Sequence, residues 1–306
     1  MQLRDHREQL ADLDALVPGL LITGATGLLG TSLGPWLEDH TAYQVIRHGH
    51  TGQADVRSDL VDMHETTRLL DAVCPDVIIN LVALTSVDEC EACPDCAYRL
   101  NVRTVENLVH WLEANPTSKL VHISTDQVYD GSGPHAEGDV TITNIYAFSK
   151  YAAELAAMQA GGCVLRTNFF GRSAKPNRSS ISDWLLSALR DGKTITGFTD
   201  VCFTPLRLHT LNESLGQVVS HFRSGIYNLG SSNGLSKADF AHHLAMAFGL
   251  DDSCIVHTTS DKADLAAYRP KDMRMDSSLF QTTFNLSLPS LDDEILKLRD
   301  EYNDED

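Results

Sequence analysis

The sequence lacks any apolar run that approaches the roughly 20 residues of a membrane-spanning helix. Positive charge is also scarce, because 24 Lys and Arg residues face 42 Asp and Glu residues and give a formal net charge of −18. A surface of this sign repels phosphate backbones and anionic lipids, and no basic patch offsets it. We therefore expect small-molecule or protein partners, and neither nucleic acid nor a membrane.

An apolar signal segment is missing too, since the N-terminal stretch MQLRDHREQLADLDALVPG is rich in charge. We expect a cytoplasmic protein. Its seven cysteines are an odd number, and a chain of this length needs no disulfide framework, so we expect reduced thiols. Cys90, Cys93 and Cys96 resemble iron–sulfur ligand spacing, but the Cys-Pro that would complete that pattern is missing. We predict no metal site.

The motifs His-x-x-x-His and His-Glu-x-x-His do not occur, which argues against a zinc hydrolase. From about Gly19 the sequence instead alternates short apolar runs with amphipathic stretches, a pattern typical of a parallel sheet with helical crossovers. Strands are predicted at 19–23, 43–47, 77–82, 119–124, 163–166 and 225–229. Helices are predicted at 29–39, 65–73, 97–114, 146–160, 182–190 and 236–248.

This pattern predicts an α/β fold, a Rossmann-type doubly wound parallel sheet with a smaller C-terminal substrate-binding lobe. We expect an N-terminal extension at 1–17, resembling an amphipathic helix, and an NAD(P)-binding domain at 18–171. Residues 172–299 would form mainly the substrate lobe, with segments that return to the sheet, and 300–306 a solvated acidic tail.

A glycine-rich loop follows the first predicted strand and precedes a helix. Its glycines permit a tight turn, allow the backbone to approach a pyrophosphate, and let the helix pack closely on the sheet. The position of the loop between a strand and a helix predicts dinucleotide binding. The predicted contacts are Gly24, Thr26, Gly27, Leu28, Leu29 and Gly30.

The second predicted strand ends on Arg47, where an NAD-preferring fold commonly carries an acidic residue. A basic residue favours a ribose 2′-phosphate, so we expect NADP, with NAD as the alternative if Arg47 faces solvent. Asp59, at a third strand end, could accept from the adenine amino group. The remaining predicted cofactor contacts are Leu60, Val82 and Ala83.

Tyr146 and Lys150 are four residues apart at the start of an Ala-rich helix and therefore share one face. Ser124-Thr125-Asp126 ends the preceding strand and puts a hydroxyl at the carboxyl edge of the sheet, where such folds bind ligands. Together with the glycine loop, these elements resemble the signature of the extended short-chain dehydrogenase/reductase family.

Further motifs resemble one branch of that family, the dTDP-4-dehydrorhamnose reductases. The similarity covers roughly residues 18–299 in order and is more specific in the first half. The motifs that carry it are PDVIINLVA (75–83), TSVD (85–88), Asn101-Val102, STDQVYDG (124–131), LRTNFFG (165–171) and RPKDMRMD (269–276).

The resemblance implies an NADP-dependent oxidoreductase that reduces the 4-keto group of a nucleotide-linked deoxysugar, in dTDP-rhamnose and polysaccharide biosynthesis. Tyr146 would donate the proton, and Lys150 would lower the pKa of Tyr146 from its usual value of about 10 and hold the nicotinamide ribose. Thr125 would hydrogen-bond the substrate oxygen. Asn101 would orient a water or the backbone near Lys150.

Substrate contacts are expected at the strand ends and in the lobe, where arginines would suit an anionic diphosphate. A structural or surface role is an equal alternative for each arginine. The candidates are Thr85, Val87, Asp126, Asn168, Arg207 and Arg274.

Gln127 stands where related nucleotide-sugar dehydratases carry a glutamate, and its amide cannot act as their base. Two alternatives to the reductase stay open. One is a non-catalytic, cofactor-binding regulatory subunit of the methionine adenosyltransferase beta type. The other is a nucleotide-sugar epimerase or epimerase-reductase with a second acid/base, for which Cys163, Cys202 and His209 are candidates. The sugar, the nucleotide and the oligomeric state, for which a homodimer is one option, do not follow from the sequence.

Overall fold

The computed structural model describes residues 17–175 and 178–303. Its centre is a seven-stranded sheet in the order β11-β6-β5-β4-β1-β2-β3, in which every neighbouring pair is parallel. The strands are β1 (Gly19–Thr23), β2 (Gln44–Gly49), β3 (Val56–Arg57), β4 (Val77–Asn80), β5 (Lys119–Thr125), β6 (Cys163–Thr167) and β11 (Gly225–Leu229).

Helices cover both faces of this sheet, because successive residues of each strand point to opposite sides. Leu20 and Ile22 pack against one group of helices, whereas Leu21 between them packs against the other group. The first group is α1 (Leu28–His40), α8 (Leu208–Ser220) and α10 (Ser278–Phe284). The second is α2 (Met63–Val73), α5 (Thr104–Ala114) and α6 (Ile145–Gln159). The predicted doubly wound α/β fold is confirmed.

A second hydrophobic core lies in the C-terminal half and forms a smaller lobe. Its strands pair two by two: β7 (Phe169–Phe170) with β10 (Leu206–Arg207), β8 (Ile195–Phe198) with β13 (Ile255–Thr258), and β9 (Cys202–Phe203) with β12 (Leu235–Ser236). Its helices are α7 (Ile181–Arg190), α9 (Lys237–Ala247) and α11 (Leu291–Asn303). Short 3₁₀ turns occur at Asp126–Val128 and Ser260–Lys262.

The helix predicted at 97–114 is wrong in its N-terminal part. The chain there forms α3 (Val87–Ala92), α4 (Pro94–Ala97) and a π-helical turn (Tyr98–Arg103) before α5 begins. The turn between α3 and α4 brings the Cα atoms of Cys93 and Cys96 within 5.3 Å, and a disulfide joins them. The expectation of reduced thiols is therefore wrong for this pair.

The predicted acidic tail is corrected as well, because α11 continues through Asn303. Glu301 pairs with Arg207, and the Tyr302 hydroxyl donates to Asp183, so this turn packs on the lobe. The predicted N-terminal helix and the last three residues lie outside the described residues. Across the described ranges, no helix has the length and apolar character needed to cross a membrane.

Candidate active site

The glycine loop joins β1 to α1, and its backbone leaves no room for a Cβ atom at Gly24 or at Gly30. Gly24 has φ +70°, and a Cβ there would lie 3.0 Å from the backbone of Leu81 at the end of β4. A Cβ on Gly30 would lie 2.5 Å from the Cα of Ala25. Gly27 caps α1 without a side chain, and Leu28 and Leu29 line the cavity beyond it. The loop therefore presents backbone to a ligand, as a pyrophosphate requires.

Substitution of Gly30 by Ala is expected to lower the free energy of unfolding by about 1–3 kcal/mol, because overpacking here can be relieved only by moving backbone. Binding of NADPH should weaken in parallel. Gly138→Ala is the matched control, since a Cβ at Gly138 meets nothing within 4 Å. Urea unfolding and NADPH titration of both variants provide the test, and equal results for the two would contradict it.

A cavity of about 470 Å³ lies beside the loop, and we call it the glycine-loop cavity. Seven of the predicted cofactor contacts line it: Gly24, Thr26, Gly27, Asp59, Leu60, Val82 and Ala83. Residues that the sequence analysis did not select line it too: His48, His50, Thr51, Ser58, Val61, Leu81, Cys96, Arg99, Leu100, Thr104 and Arg178.

Arg47 does not line this cavity, so its predicted contact with the cofactor is corrected. Its guanidinium lies 2.5 Å from Glu38 of α1, and its side chain packs against Gly34 of the same helix. Because side chains alternate along a strand, Arg47 faces α1 while His48 turns to the cavity. The strand also continues two residues beyond Arg47, to Gly49, so neither its end nor the direction of the Arg47 side chain was predicted correctly.

A second cavity of about 410 Å³, the catalytic cavity, shares five residues with the first: Gly24, Gly27, Leu81, Ala83 and Arg178. It contains the hydroxyls and the ammonium group on which the predicted chemistry depends. The predicted residues on its walls are Gly24, Gly27, Leu28, Leu29, Gly30, Ala83, Thr85, Thr125, Tyr146, Lys150 and Asn168.

Tyr146 lies at the start of α6, and its phenol lines the catalytic cavity together with the Thr125 hydroxyl at the end of β5. Burial raises the pKa of Tyr146, the neighbouring Thr125 hydroxyl opposes this shift, and the Asp126 carboxyl raises the pKa further. The phenol is therefore protonated at neutral pH, which is the form that a proton donor needs.

Lys150 lies one helical turn further along α6 and is buried. Its ammonium donates to the carbonyl oxygen of Ile123 at 2.7 Å and lies 3.5 Å from His122 Nε2. Burial lowers the pKa of Lys150 to about 8, an effect that Glu154 partly opposes. Lys150 is not among the groups that shift the pKa of Tyr146, and that pKa is raised. The predicted lowering of the Tyr146 pKa by Lys150 is therefore wrong.

Asn101 is buried behind the cavity and does not line it. Its amide donates to Ser149 Oγ at 2.8 Å and to the Leu84 carbonyl at 3.2 Å, and its Oδ1 accepts from the Leu84 amide at 2.7 Å. Ser149 directly precedes Lys150, so Asn101 ties α6 to the loop after β4. A direct role in chemistry stays a prediction.

Asp126 is buried below the catalytic cavity, and burial raises its pKa to about 6. Its Oδ2 accepts from the Asn168 amide at 2.8 Å, and its Oδ1 lies 3.3 Å from the Thr125 hydroxyl. The carboxyl does not line the cavity but fixes two residues that do. Asp126 is thus positioned to orient substrate contacts rather than to form one.

Three other predicted substrate contacts lie elsewhere, which corrects them. Val87 packs in a small apolar cluster with Tyr146. Arg207 is buried in the lobe against Glu294 and Glu301. Arg274 pairs with Asp272 at 2.6 Å and lines a separate cavity. Both guanidiniums are already neutralised by carboxylates, so neither supplies charge to the catalytic cavity.

The three candidates for a second acid/base are also outside the catalytic cavity. Cys163 is buried in β6, and burial raises the pKa of its thiol to about 12. Cys202 lies on β9, and His209 is exposed on α8 beside Glu213. The described residues therefore provide no support from these side chains for an epimerase.

A third cavity of about 280 Å³, the lobe cavity, adjoins the catalytic cavity through Gln127, Asn168 and Ile181. Trp184, Phe198 and Lys237 belong to none of the quoted motifs and were not predicted as site residues. Arg269 begins the RPKDMRMD motif but was not selected either. They line the lobe cavity together with Leu185, Ile195, Thr196, Gly197, Val201, Ala241, Pro270 and Met273.

Several buried polar atoms on these walls have no partner within the described protein. They are His48 Nδ1 and Thr104 Oγ1 in the glycine-loop cavity, and Gln127 Oε1 between the catalytic and lobe cavities. A buried polar atom without a partner costs free energy, so such atoms mark places where a ligand or water completes the bonding. In the described ranges, no cluster of side chains suits a metal ion.

The model of the family described as "RmlD substrate binding domain" matches residues 19–303. The chain belongs to this family. The branch inferred from the sequence motifs is therefore confirmed.

Among its relatives, the chain is 30% identical to the dTDP-4-dehydrorhamnose reductase of Mycolicibacterium smegmatis, over 87% of this chain and 80% of that protein. It is 27% identical to the "Probable low-salt glycan biosynthesis reductase Agl14" of Haloferax volcanii, over 92% and 98%. It is also 27% identical to methionine adenosyltransferase 2 subunit beta of Mus musculus, over 90% and 85%.

A structure of dTDP-4-dehydrorhamnose reductase from Bacillus anthracis in complex with NADP superposes with a TM-score of 0.83 at 22% identity, covering 93% of this chain and 99% of the other. At this identity the likeness establishes the fold that the RmlD family shares.

Proposed function

We propose that this member of the RmlD family is an NADP-dependent reductase of a nucleotide-linked 4-keto sugar. The observation that carries the proposal is the placement of Thr125, Tyr146 and Lys150 on one cavity, which shares its glycine-loop wall with the neighbouring cavity. Two of the relatives are named reductases, which supports the same activity.

The cofactor would lie across the two cavities that meet at the glycine loop. Backbone of Gly24, Gly27 and Leu28 would hold the pyrophosphate, and Asp59 the adenine. Since Arg47 is engaged with Glu38, we assign the ribose 2′-phosphate to the polar wall of the glycine-loop cavity, which includes His50, Thr51 and Arg178. NADP in a related structure agrees with this choice, and NAD stays the alternative.

When bound, NADPH supplies the hydride for the carbonyl carbon. Tyr146 donates its phenolic proton to the carbonyl oxygen, which becomes the new hydroxyl. Thr125, on the wall of the same cavity, is placed to hydrogen-bond the same oxygen. The Lys150 ammonium stabilises the resulting phenolate from one helical turn away. Gln127 carries an amide and so offers no base for dehydration of the sugar.

The test is oxidation of NADPH by the purified protein on addition of a dTDP-4-dehydro-6-deoxyhexose, with the UDP- and GDP-linked analogues beside it. We expect turnover with at least one of them and a product reduced at C4. Tight NADPH binding without turnover on any of the three would favour the regulatory-subunit alternative. A product with an inverted neighbouring centre would favour the epimerase-reductase.

A further inference from the structure

Lys237 is the first residue of α9 and extends its side chain to the lobe cavity. The preceding residue, Ser236, caps this helix by accepting from the amide of Asp239 at 3.0 Å. The amide of Lys237 itself donates to the Val201 carbonyl at 2.9 Å. The backbone of Lys237 is therefore fixed at the junction of β12 and α9.

The ammonium of Lys237 forms no ion pair with the residues that the structure describes. It lies 3.2 Å from the centre of the Phe203 ring, which is fully buried, and no carboxylate of the described residues lies within 4.0 Å of it. Arg269, the other cation of the same cavity, is by contrast bound to Asp88 at 2.6 Å. Lys237 is thus a positive charge on the wall of the lobe cavity that has no direct carboxylate partner among the described residues, and only the more distant Asp126 carboxyl acts on it.

A desolvated cation is costly unless an anion accompanies it, and the ring of Phe203 offsets only part of that cost. Burial lowers the pKa of Lys237 to about 8, and the Asp126 carboxyl opposes this shift. Lys237 is therefore still mostly charged at neutral pH. A charged and desolvated ammonium group suits a negatively charged ligand.

The surroundings of Lys237 indicate which anion that is. Gln127 and Asn168 connect the lobe cavity to the site of Tyr146, where the sugar would react. Trp184 and Phe198 provide aromatic surface in the lobe cavity, which suits a nucleobase. In a sugar nucleotide, the diphosphate lies between the sugar and the nucleoside.

We propose that Lys237 binds the diphosphate of the sugar nucleotide and makes the site selective for nucleoside diphosphate esters. This inference rests on the proposed function, because it takes the sugar nucleotide as the substrate. It assigns the main charge contact with the substrate to a residue of α9, in place of the paired arginines Arg207 and Arg274.

The test compares Lys237→Met, which keeps the length of the side chain without its charge, with Lys237→Arg, which keeps the charge. Calorimetric titration with dTDP, UDP and GDP should show binding to the wild type weakened about 10–100-fold in Lys237→Met, the usual range for a lost charge-assisted hydrogen bond. Lys237→Arg should lose less. Binding of NADPH should not change in either variant.

Controls separate this role from a structural one. Lys262→Met removes an exposed lysine of the same lobe and should leave all three titrations unchanged. Thermal unfolding of Lys237→Met should match or exceed that of the wild type, since an unpaired charge is removed from an apolar wall. Thymidine, which has no phosphate, should bind the wild type and Lys237→Met equally.

The two proposals fail in different ways. If the wild type binds at least one of the nucleoside diphosphates and Lys237→Met binds it equally well, the assignment of Lys237 is overturned and the reductase proposal stands. If the wild type binds none of the three, the proposed substrate class is wrong and the assignment of Lys237 is wrong with it.

Discussion

Tyr146→Phe is expected to lower kcat for the keto-sugar reduction by about 10²–10⁴-fold, the usual contribution of a general acid. The variant loses only the phenolic hydroxyl, so the ring still fills its buried site beside Val87. The proposed chemistry depends on that hydroxyl, which lines the catalytic cavity beside Thr125. NADPH affinity should remain close to that of the wild type, because the glycine loop is unchanged.

The measurement is single-turnover NADPH oxidation together with NADPH titration. Tyr151→Phe is the matched control, since Tyr151 lies on the same helix but packs in the cluster around Val128 and Tyr129. It should retain full activity. Turnover of Tyr146→Phe within tenfold of the wild type would remove Tyr146 as the proton donor.

Arg166→Met is expected to lower the free energy of unfolding by about 3–5 kcal/mol, because it leaves a buried carboxylate without its partner. Arg166 and Glu154 have side chains that are 1% and 0% exposed and lie 2.6 Å apart. Ser124 also donates to Glu154, at 2.5 Å, and Arg166 donates to the Tyr129 hydroxyl at 2.7 Å. The pair therefore joins β5, β6 and α6 directly behind Thr125 and Tyr146.

Urea unfolding followed by circular dichroism would measure this effect. Arg223→Met, which removes an exposed arginine, should change stability by less than about 0.5 kcal/mol. The double variant Glu154→Leu/Arg166→Met should recover part of the loss, because it leaves no isolated charge in the core. A loss below about 1 kcal/mol in Arg166→Met would show that the pair contributes little.

The sheet was predictable where a strand is buried on both faces. Gly19–Thr23 and Gly225–Leu229 have the bounds that their apolar runs predict. The helix bearing Tyr146 and Lys150 was predictable too, because its Ala-rich sequence favours helix and Gly161-Gly162 ends it. In each case the signal is local, and the apolar run or the helix propensity of the segment is enough to predict the element.

The errors concern contacts between residues far apart in sequence. On the sequence alone, Arg207 is a candidate for binding a diphosphate. In the structure, its backbone amide donates to Glu294, which lies 87 residues later. The prediction for Arg47 fails for a different reason: β2 ends at Gly49 and not at Arg47, and the face of the strand on which the Arg47 side chain lies was not foreseen. Lys237 was missed because only the fold brings it to the cavity. Charge in a sequence does not indicate where its counter-charge lies.

The position of strand β11 determines whether the protein can be cut into two folded fragments. It belongs to the C-terminal half in sequence, yet it forms an edge of the main sheet beside β6, and α8 packs with Leu33 and Leu37 of α1. A fragment ending near residue 171 would leave the backbone of β6 unpaired on one side and apolar surface of α1 uncovered. The sheet of the nucleotide-binding half is thus completed by a strand that follows the first part of the substrate lobe in sequence. The two halves are interleaved and are not separable modules.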